Sequence, residues 1–146
     1  MPADHIAYWK EHLLPHYLAT GMVRAVPLPP WPERFIYAAY LESKAKGSFH
    51  LVVDLKHINQ WFTKIPVKFE TLQLLRFAPQ GLHVGSSLDL SDAYHHLRIA
   101  DSIGHLFTFE IDGVCYRHVG LPMGWLLSPM IFTKFMRPVT SFLRCP

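Results

Sequence analysis

Acidic residues are scarce in this sequence and unevenly spread. Eleven of the 146 residues are Asp or Glu, against 14 Lys and Arg, and none follows Asp112. Charge of either sign is modest: 17% of residues carry it, while 50% are hydrophobic. That balance excludes a disordered tail, which is poor in apolar side chains and rich in charge. Cysteine is nearly missing. Cys115 and Cys145 cannot staple a domain of this size, so a reduced intracellular compartment, cytoplasm or nucleus, is expected. No apolar run nears the roughly 20 residues of a membrane helix, so no membrane partner is expected. The first residues lack the basic stretch and apolar core of a secretory signal. No internal repeat, low-complexity tract, phosphate-loop motif or Ser/His/Asp order is present.

What is present suits one domain long enough to bury a core. Twelve prolines, most of them in the first half, make that half extended and loop-rich. The charges fall into three blocks. Residues 44–76 carry six cations against Asp54 and Glu70. Residues 86–113 carry Asp89, Asp92, Asp101, Glu110 and Asp112 against Arg98. Residues 114–146 carry Arg117, Lys134, Arg137 and Arg144 with no acid. Segregated solvated faces produce such an order. So does an enzyme with cations along a phosphate track and carboxylates where metal ions sit.

The periodicity predicts a helix over 5–19, with Ile6, Trp9, Leu13, Leu14 and Leu18 on one face, weakened by Pro15 and stopped at Gly21. A proline-rich connector follows over 26–32. Residues 35–41 and 49–55 read as strands joined by a polar basic turn. A short helix is expected over 70–77 and a strand over 84–90. Residues 106–119 form a hairpin, because Asp112-Gly113 supplies a type I′ turn. Ser128 and Pro129 open a helix as N-cap and N1, and Pro138 kinks or restarts it. Its apolar stripe is Ile131, Phe135, Val139 and Phe142. The order argues for an α+β domain with a mainly antiparallel sheet.

Two stretches bear chemistry. In Ser87-Leu88-Asp89-Leu90-Ser91-Asp92-Ala93-Tyr94, an acid within an apolar strand is costly to bury unpaired. Asp89 is either a solvent-facing carboxylate or a metal ligand at a strand end. Asp92 by itself reads as a turn or N-cap residue, and Tyr94 as a core aromatic. In Gly120-Leu121-Pro122-Met123-Gly124-Trp125-Leu126-Leu127-Ser128-Pro129, two glycines and two prolines make a stiff, shaped turn. Gly124 suits either a close ligand approach or a strand-to-helix connector. Ten histidines show no convincing zinc spacing: Pro15 separates His12 from His16, and His95 and His96 point apart if on a strand. The cysteines read as buried or incidental thiols. Trp31, Trp61 and Trp125 suit core or loop packing better than base stacking.

Three blocks in order resemble the reverse transcriptases of retrotransposons. Leu51-Val52-Val53-Asp54-Leu55-Lys56-His57-Ile58-Asn59 is similar to the family's fingers segment. Leu88-Asp89-Leu90-Ser91-Asp92-Ala93-Tyr94 resembles its palm motif. Leu121-Pro122-Met123-Gly124-Trp125-Leu126-Leu127-Ser128-Pro129 resembles its Leu-Pro-x-Gly-x-x-x-(Ser/Ala)-Pro motif. The lead-in over 17–24 is similar as well.

The resemblance implies a partial right-hand polymerase: an antiparallel fingers hairpin plus an incomplete palm sheet flanked by helices. Residues 1–86 would form fingers and lead-in, and residues 87–146 the front of the palm. It implies template-directed deoxynucleotidyl transfer, with an RNA or DNA template, a primer and deoxynucleoside triphosphates as partners. It implies two Mg²⁺ ions held by Asp89 and the Leu90 carbonyl. Asp92, Ala93 and Tyr94 would line the nucleotide pocket, with Tyr94 excluding a 2′-hydroxyl. Met123 and Gly124 would pack near the nucleotide, Lys44 or Lys46 would reach its phosphates, and Lys56 and Asn59 would lie by the template.

Departures accompany the likeness. His50 stands where many relatives carry Arg, and a neutral imidazole cannot grip phosphate with a fork. Met123 replaces the Gln of retroviral enzymes. The family's other two carboxylates lie in a (Tyr/Phe)-x-Asp-Asp hairpin beyond the Leu-Pro-x-Gly motif, and no Asp-Asp pair occurs in this sequence. The chain is therefore expected to be a C-terminally truncated piece, inactive unless a second chain supplies the rest. The alternative expectation is a remnant domain that binds nucleic acid or a partner polymerase chain.

Overall fold

The computed structural model describes residues 1–30, 35–44, 47–67 and 89–144. The expected helix over 70–77, the strand residues 84–88 and Lys46 lie outside them.

Residues 3–19 are helical throughout, in three registers: α1 (Ala3–Tyr8), a π-helical turn (Trp9–Leu13) and α2 (Leu14–Ala19). Pro15 falls in the first turn of α2, where its missing N–H deprives the helix of little. The wide π turn just before it shifts the buried face. Trp9 and Tyr17 are buried, while Leu18, expected on the apolar stripe, is exposed. Gly21 stops the helix at φ +68°. Its N–H bonds Leu18 O and the Met22 N–H bonds Tyr17 O, the paired closure of a Schellman motif.

Five strands form one sheet in the order β1-β5-β4-β2-β3. They are β1 (Val23–Val26), β2 (Ile36–Ser43), β3 (Phe49–Val53), β4 (Thr108–Ile111) and β5 (Val114–His118). β2–β3 is the expected basic-tipped hairpin, with Leu41 opposite Leu51. β4–β5 is the other expected hairpin. Asp112 and Gly113 have φ of +52° and +73°, the both-positive pattern of a type I′ turn. β2 runs parallel to β4, so the two hairpins share one mixed sheet. β1 was not expected from sequence and pairs antiparallel with β5, Val23 opposite His118.

The core sits between the sheet and the N-terminal helices. Trp9, fully buried, packs against Tyr17, Phe109 and Tyr116 at ring distances of 5.7, 6.3 and 5.6 Å. Burying such aromatics contributes most of the local stabilisation.

Between β3 and β4 the described chain is short helices and turns: α3 (Lys56–Asn59), a 3₁₀ turn (Ala93–His96), α4 (Asp101–Gly104) and a 3₁₀ turn (His105–Phe107). His95 and His96 are thus on a tight helical turn, not a strand. Asp89 and Leu90 are also outside any strand.

The last helix, α5 (Ser128–Arg144), starts at Ser128 and runs through Pro138 without a restart. Leu127 O already accepts the Ile131 N–H, so Ser128 is helical and is not the N-cap. Its hydroxyl donates to Pro122 O at 2.7 Å instead. Among the described residues no helix is long and apolar enough to cross a membrane.

Candidate functional site

Two segments meet at the C-terminal end of β5. The chain leaving β5 pairs with residues 97–99: Ile99 N–H bonds Val119 O and Leu121 N–H bonds Leu97 O, both at 2.8 Å. Gly120 lies within this contact. A Cβ there would stand 2.7 Å from His95 O and 2.8 Å from His95 Cα, closer than real side chains approach backbone. Only glycine lets the 3₁₀ turn at residues 93–96 seat on the turn at residues 121–124. The segment directly after the first chemistry-bearing stretch is therefore locked by backbone to the start of the second.

Asn59, at the end of α3, fixes the second stretch from the other side. Its amide donates to Gly124 O at 2.9 Å and accepts the Leu126 N–H at 2.9 Å. Both ends of the side chain are engaged within the protein, so the geometry makes Asn59 a clamp on the turn. Lys56, on the same short helix, is exposed. Its backbone N–H caps onto Asp54 Oδ1. Gly124 has φ +91°, a conformation that disfavours a side chain. The nearest atom to a Cβ there, Val53 O, would be at an ordinary 3.8 Å, so backbone angle rather than crowding demands glycine.

Three neighbouring cavities make up the groove. One part, about 450 Å³, is lined by Asp89, Leu90, Ser91 and Asp92 together with His16 and His95. A smaller, more enclosed part, about 140 Å³, brings Lys44, His50, Asp92, His95, His118 and Met123 together. A third, about 550 Å³, joins Tyr94, Met123 and Gly124 to residues 64–67. Asp92 and Met123 each line two of the three parts. Asp89 and Leu90 are exposed at the surface. Asp92 adopts φ +51° ahead of the 3₁₀ turn, as its turn reading predicts, and its carboxylate lies 3.6 Å from His16 Nε2. Tyr94 is half-buried and edge-on to Phe132, 5.3 Å between ring centres. Ala93 sits between the two. Of the expected site residues that are described, Ala93, Lys56 and Asn59 line none of the three cavities.

The floor of the enclosed part is a pair of imidazoles. The His95 and His118 rings are parallel within 9° at 6.3 Å. Among the described residues neither His118 nitrogen nor His95 Nδ1 has a hydrogen-bond partner. Burial, reinforced by His95, pushes His118 down to about 3. Burial likewise lowers His95, against the pull of the Asp92 carboxylate. Both rings are neutral at neutral pH. His50 Nε2 lies 3.5 Å from Glu42 Oε2, so this side chain turns partly toward its own hairpin. Sequence reasoning missed His118, His16 and Gly120. The extra glycine ahead of Leu121-Pro122 was the available signal for the last.

Among the described residues no cluster of three or more His, Cys, Asp or Glu gathers as a metal site. Among the described residues the Asp89 carboxylate opens onto the groove, while Asp92 lies against His16. A single exposed carboxylate fits a Mg²⁺ ion, which is commonly held by one or two carboxylates and keeps waters and substrate phosphates in its shell.

Residues 41–145 match the family described as reverse transcriptase (RNA-dependent DNA polymerase). The chain belongs to the reverse transcriptase family. It is 25% identical over 96 residues to the Transposon Tf2-7 and Tf2-3 polyproteins of Schizosaccharomyces pombe, a match over 66% of this chain and 7% of each polyprotein. The chain thus spans a small part of those relatives. Its fold is similar to the foamy viral protease-reverse transcriptase in complex with dsDNA, with a TM-score of 0.75, 16% identity, and coverage of 97% of this chain and 29% of that one. The native prototype foamy virus protease-reverse transcriptase gives 0.68 at 18% identity, over 88% and 17% of the two chains. The reverse transcriptase likeness therefore extends across sequence and fold, including the α+β architecture expected from sequence.

Proposed function

We propose that this reverse transcriptase chain carries the front of the nucleotide site, where an incoming deoxynucleoside triphosphate meets a template strand. The observation that supports this most is the close backbone packing of Gly120 on His95, which leaves Asp92 and Tyr94 lining the same cavities as Met123. In this proposal the Asp89 carboxylate and the Leu90 carbonyl hold Mg²⁺. When bound, the divalent ions of a complete site activate the primer hydroxyl and stabilise the leaving pyrophosphate. Asp92, Ala93 and Tyr94 line the triphosphate and sugar. Tyr94, braced by Phe132, leaves no room for a 2′-hydroxyl. Met123 and Gly124 form the facing wall. Lys44, with Lys46, offers point charges to the phosphates, and Lys56 lies toward the template.

One carboxylate in the metal shell is too few for two divalent ions, and the sequence holds no Asp-Asp pair. The chain by itself therefore binds but does not extend. Its basic stretches at 44–76 and 114–146 also favour a second reading, a non-catalytic domain that binds nucleic acid or a partner polymerase chain.

Equilibrium binding of dTTP with and without Mg²⁺ tests the site. Binding should need Mg²⁺ and weaken at least about tenfold in Asp89→Asn, the loss of roughly 1.4 kcal/mol. Metal-independent binding that ignores this substitution would overturn the site. Primer extension by the 146-residue chain would overturn the proposed inactivity.

A further inference from the structure

Trp61 is 78% exposed, whereas Trp9 is fully buried and Trp125 is 5% exposed. A tryptophan ordinarily buries a large apolar area, so its display needs a cause. Looseness of the segment does not supply one. The Trp61 N–H bonds Ile58 O at 3.0 Å and the Phe62 N–H bonds Asn59 O at 3.4 Å. Ile58 is buried in the core. Asn59 is clamped to Gly124 and Leu126. Phe62, the very next residue, inserts against Trp125 at 5.5 Å. The indole is therefore held outward by a turn that is anchored on three sides.

Its surroundings are basic. Lys56, His57 and Lys64 are exposed, and the nearby acid Asp54 is engaged in capping the Lys56 N–H. Lys64 lines the part of the groove that also holds Tyr94, Met123 and Gly124, a space of about 550 Å³. An outward aromatic ring flanked by cations is the chemistry that binds single-stranded nucleic acid. Bases stack on the ring, and phosphates exchange counterions with the cations.

We propose that Trp61 is a stacking platform for a base of single-stranded nucleic acid entering the groove beside Lys64, an inference that rests on the polymerase reading only for the purpose of that groove. Sequence alone favoured core or loop packing for this residue. The structure instead turns the half-buried Phe62 in against the core.

The test is binding of a labelled oligothymidylate and of an abasic oligomer of equal length and charge, read by fluorescence anisotropy at several salt concentrations. The native chain should prefer the base-bearing oligomer by about tenfold, the effect of one stacked base. Trp61→Ala should abolish that preference while leaving abasic binding intact, and Trp61→Phe should keep most of it. Lys64→Gln should weaken both oligomers alike. The emission of buried Trp9 and Trp125 reports that each variant is folded. An unchanged preference in Trp61→Ala would overturn the proposal. Salt-independent binding would overturn it too, pointing to a protein partner for the indole. If oligomers bind as expected but dTTP does not, the nucleotide site fails and the platform stands.

Discussion

Asn59 shows how much of the candidate site hangs on single side chains. One amide satisfies a carbonyl and an N–H of the turn at residues 124–126, and nothing else among the described residues ties α3 to that turn by side-chain hydrogen bonds. Removing it leaves the partly buried Leu126 N–H unsatisfied, which costs about 1–3 kcal/mol. Asn59→Ala should lower the unfolding free energy by that amount, seen as a lower urea midpoint at unchanged denaturant slope. The sequence showed Asn59 as part of a motif and suggested a template contact. The clamp was not legible there, because its partners lie 65 and 67 residues away. Trp61 and Phe62 make the same point. Both are large aromatics, and nothing local says which one turns inward.

Among the elements, the β4–β5 hairpin was the most legible, because Asp112-Gly113 is a local signal and both residues take positive φ. β1 was invisible for the opposite reason: its four residues become a strand only through pairing with β5. The parallel pairing of β2 with β4 is likewise a long-range event. β5 also carries a consequence for pH. His118 in the folded chain titrates near 3 rather than at its ordinary 6.5, and His95 is shifted the same way. Between those values the unfolded chain binds protons that the folded chain refuses. Stability is thus fully present above about pH 6.5 and falls as pH drops toward 3. The slope is up to about 1.4 kcal/mol per pH unit for each proton. Other groups near the pair are Tyr17, Lys44, His50 and Asp92, which share its cavity, with His16 and His96 close enough to act on His95. Urea titrations at stepped pH should show this acid limb. His118→Phe, which keeps the ring packing beside Phe109 and removes the proton site, should flatten it. An equally steep limb in that variant would assign the effect elsewhere.

At the scale of the whole molecule, the hydrophobic half of the sequence is not all core. On α5 the apolar stripe is exposed at Phe135 (53%), Val139 (42%) and Phe142 (80%). Its amphipathic pattern was legible in the sequence, and the fold shows which of its residues are left uncovered. An apolar face of this kind promotes self-association. Light scattering should show the chain associating as concentration rises, and Phe135→Gln with Phe142→Glu should suppress it while changing the unfolding free energy from urea titration by no more than about 0.5 kcal/mol.

The central claim is that residues 89–94 and 121–124, brought together by a backbone contact at Gly120, form one nucleotide site. Amide chemical-shift mapping of the 146-residue chain with Mg²⁺ and dTTP tests it most directly. The account predicts shifts concentrated at Asp89, Leu90, Asp92, Ala93, Tyr94, Met123 and Gly124, reduced in Asp89→Asn. Shifts at only one of the two stretches, or at neither, would contradict it.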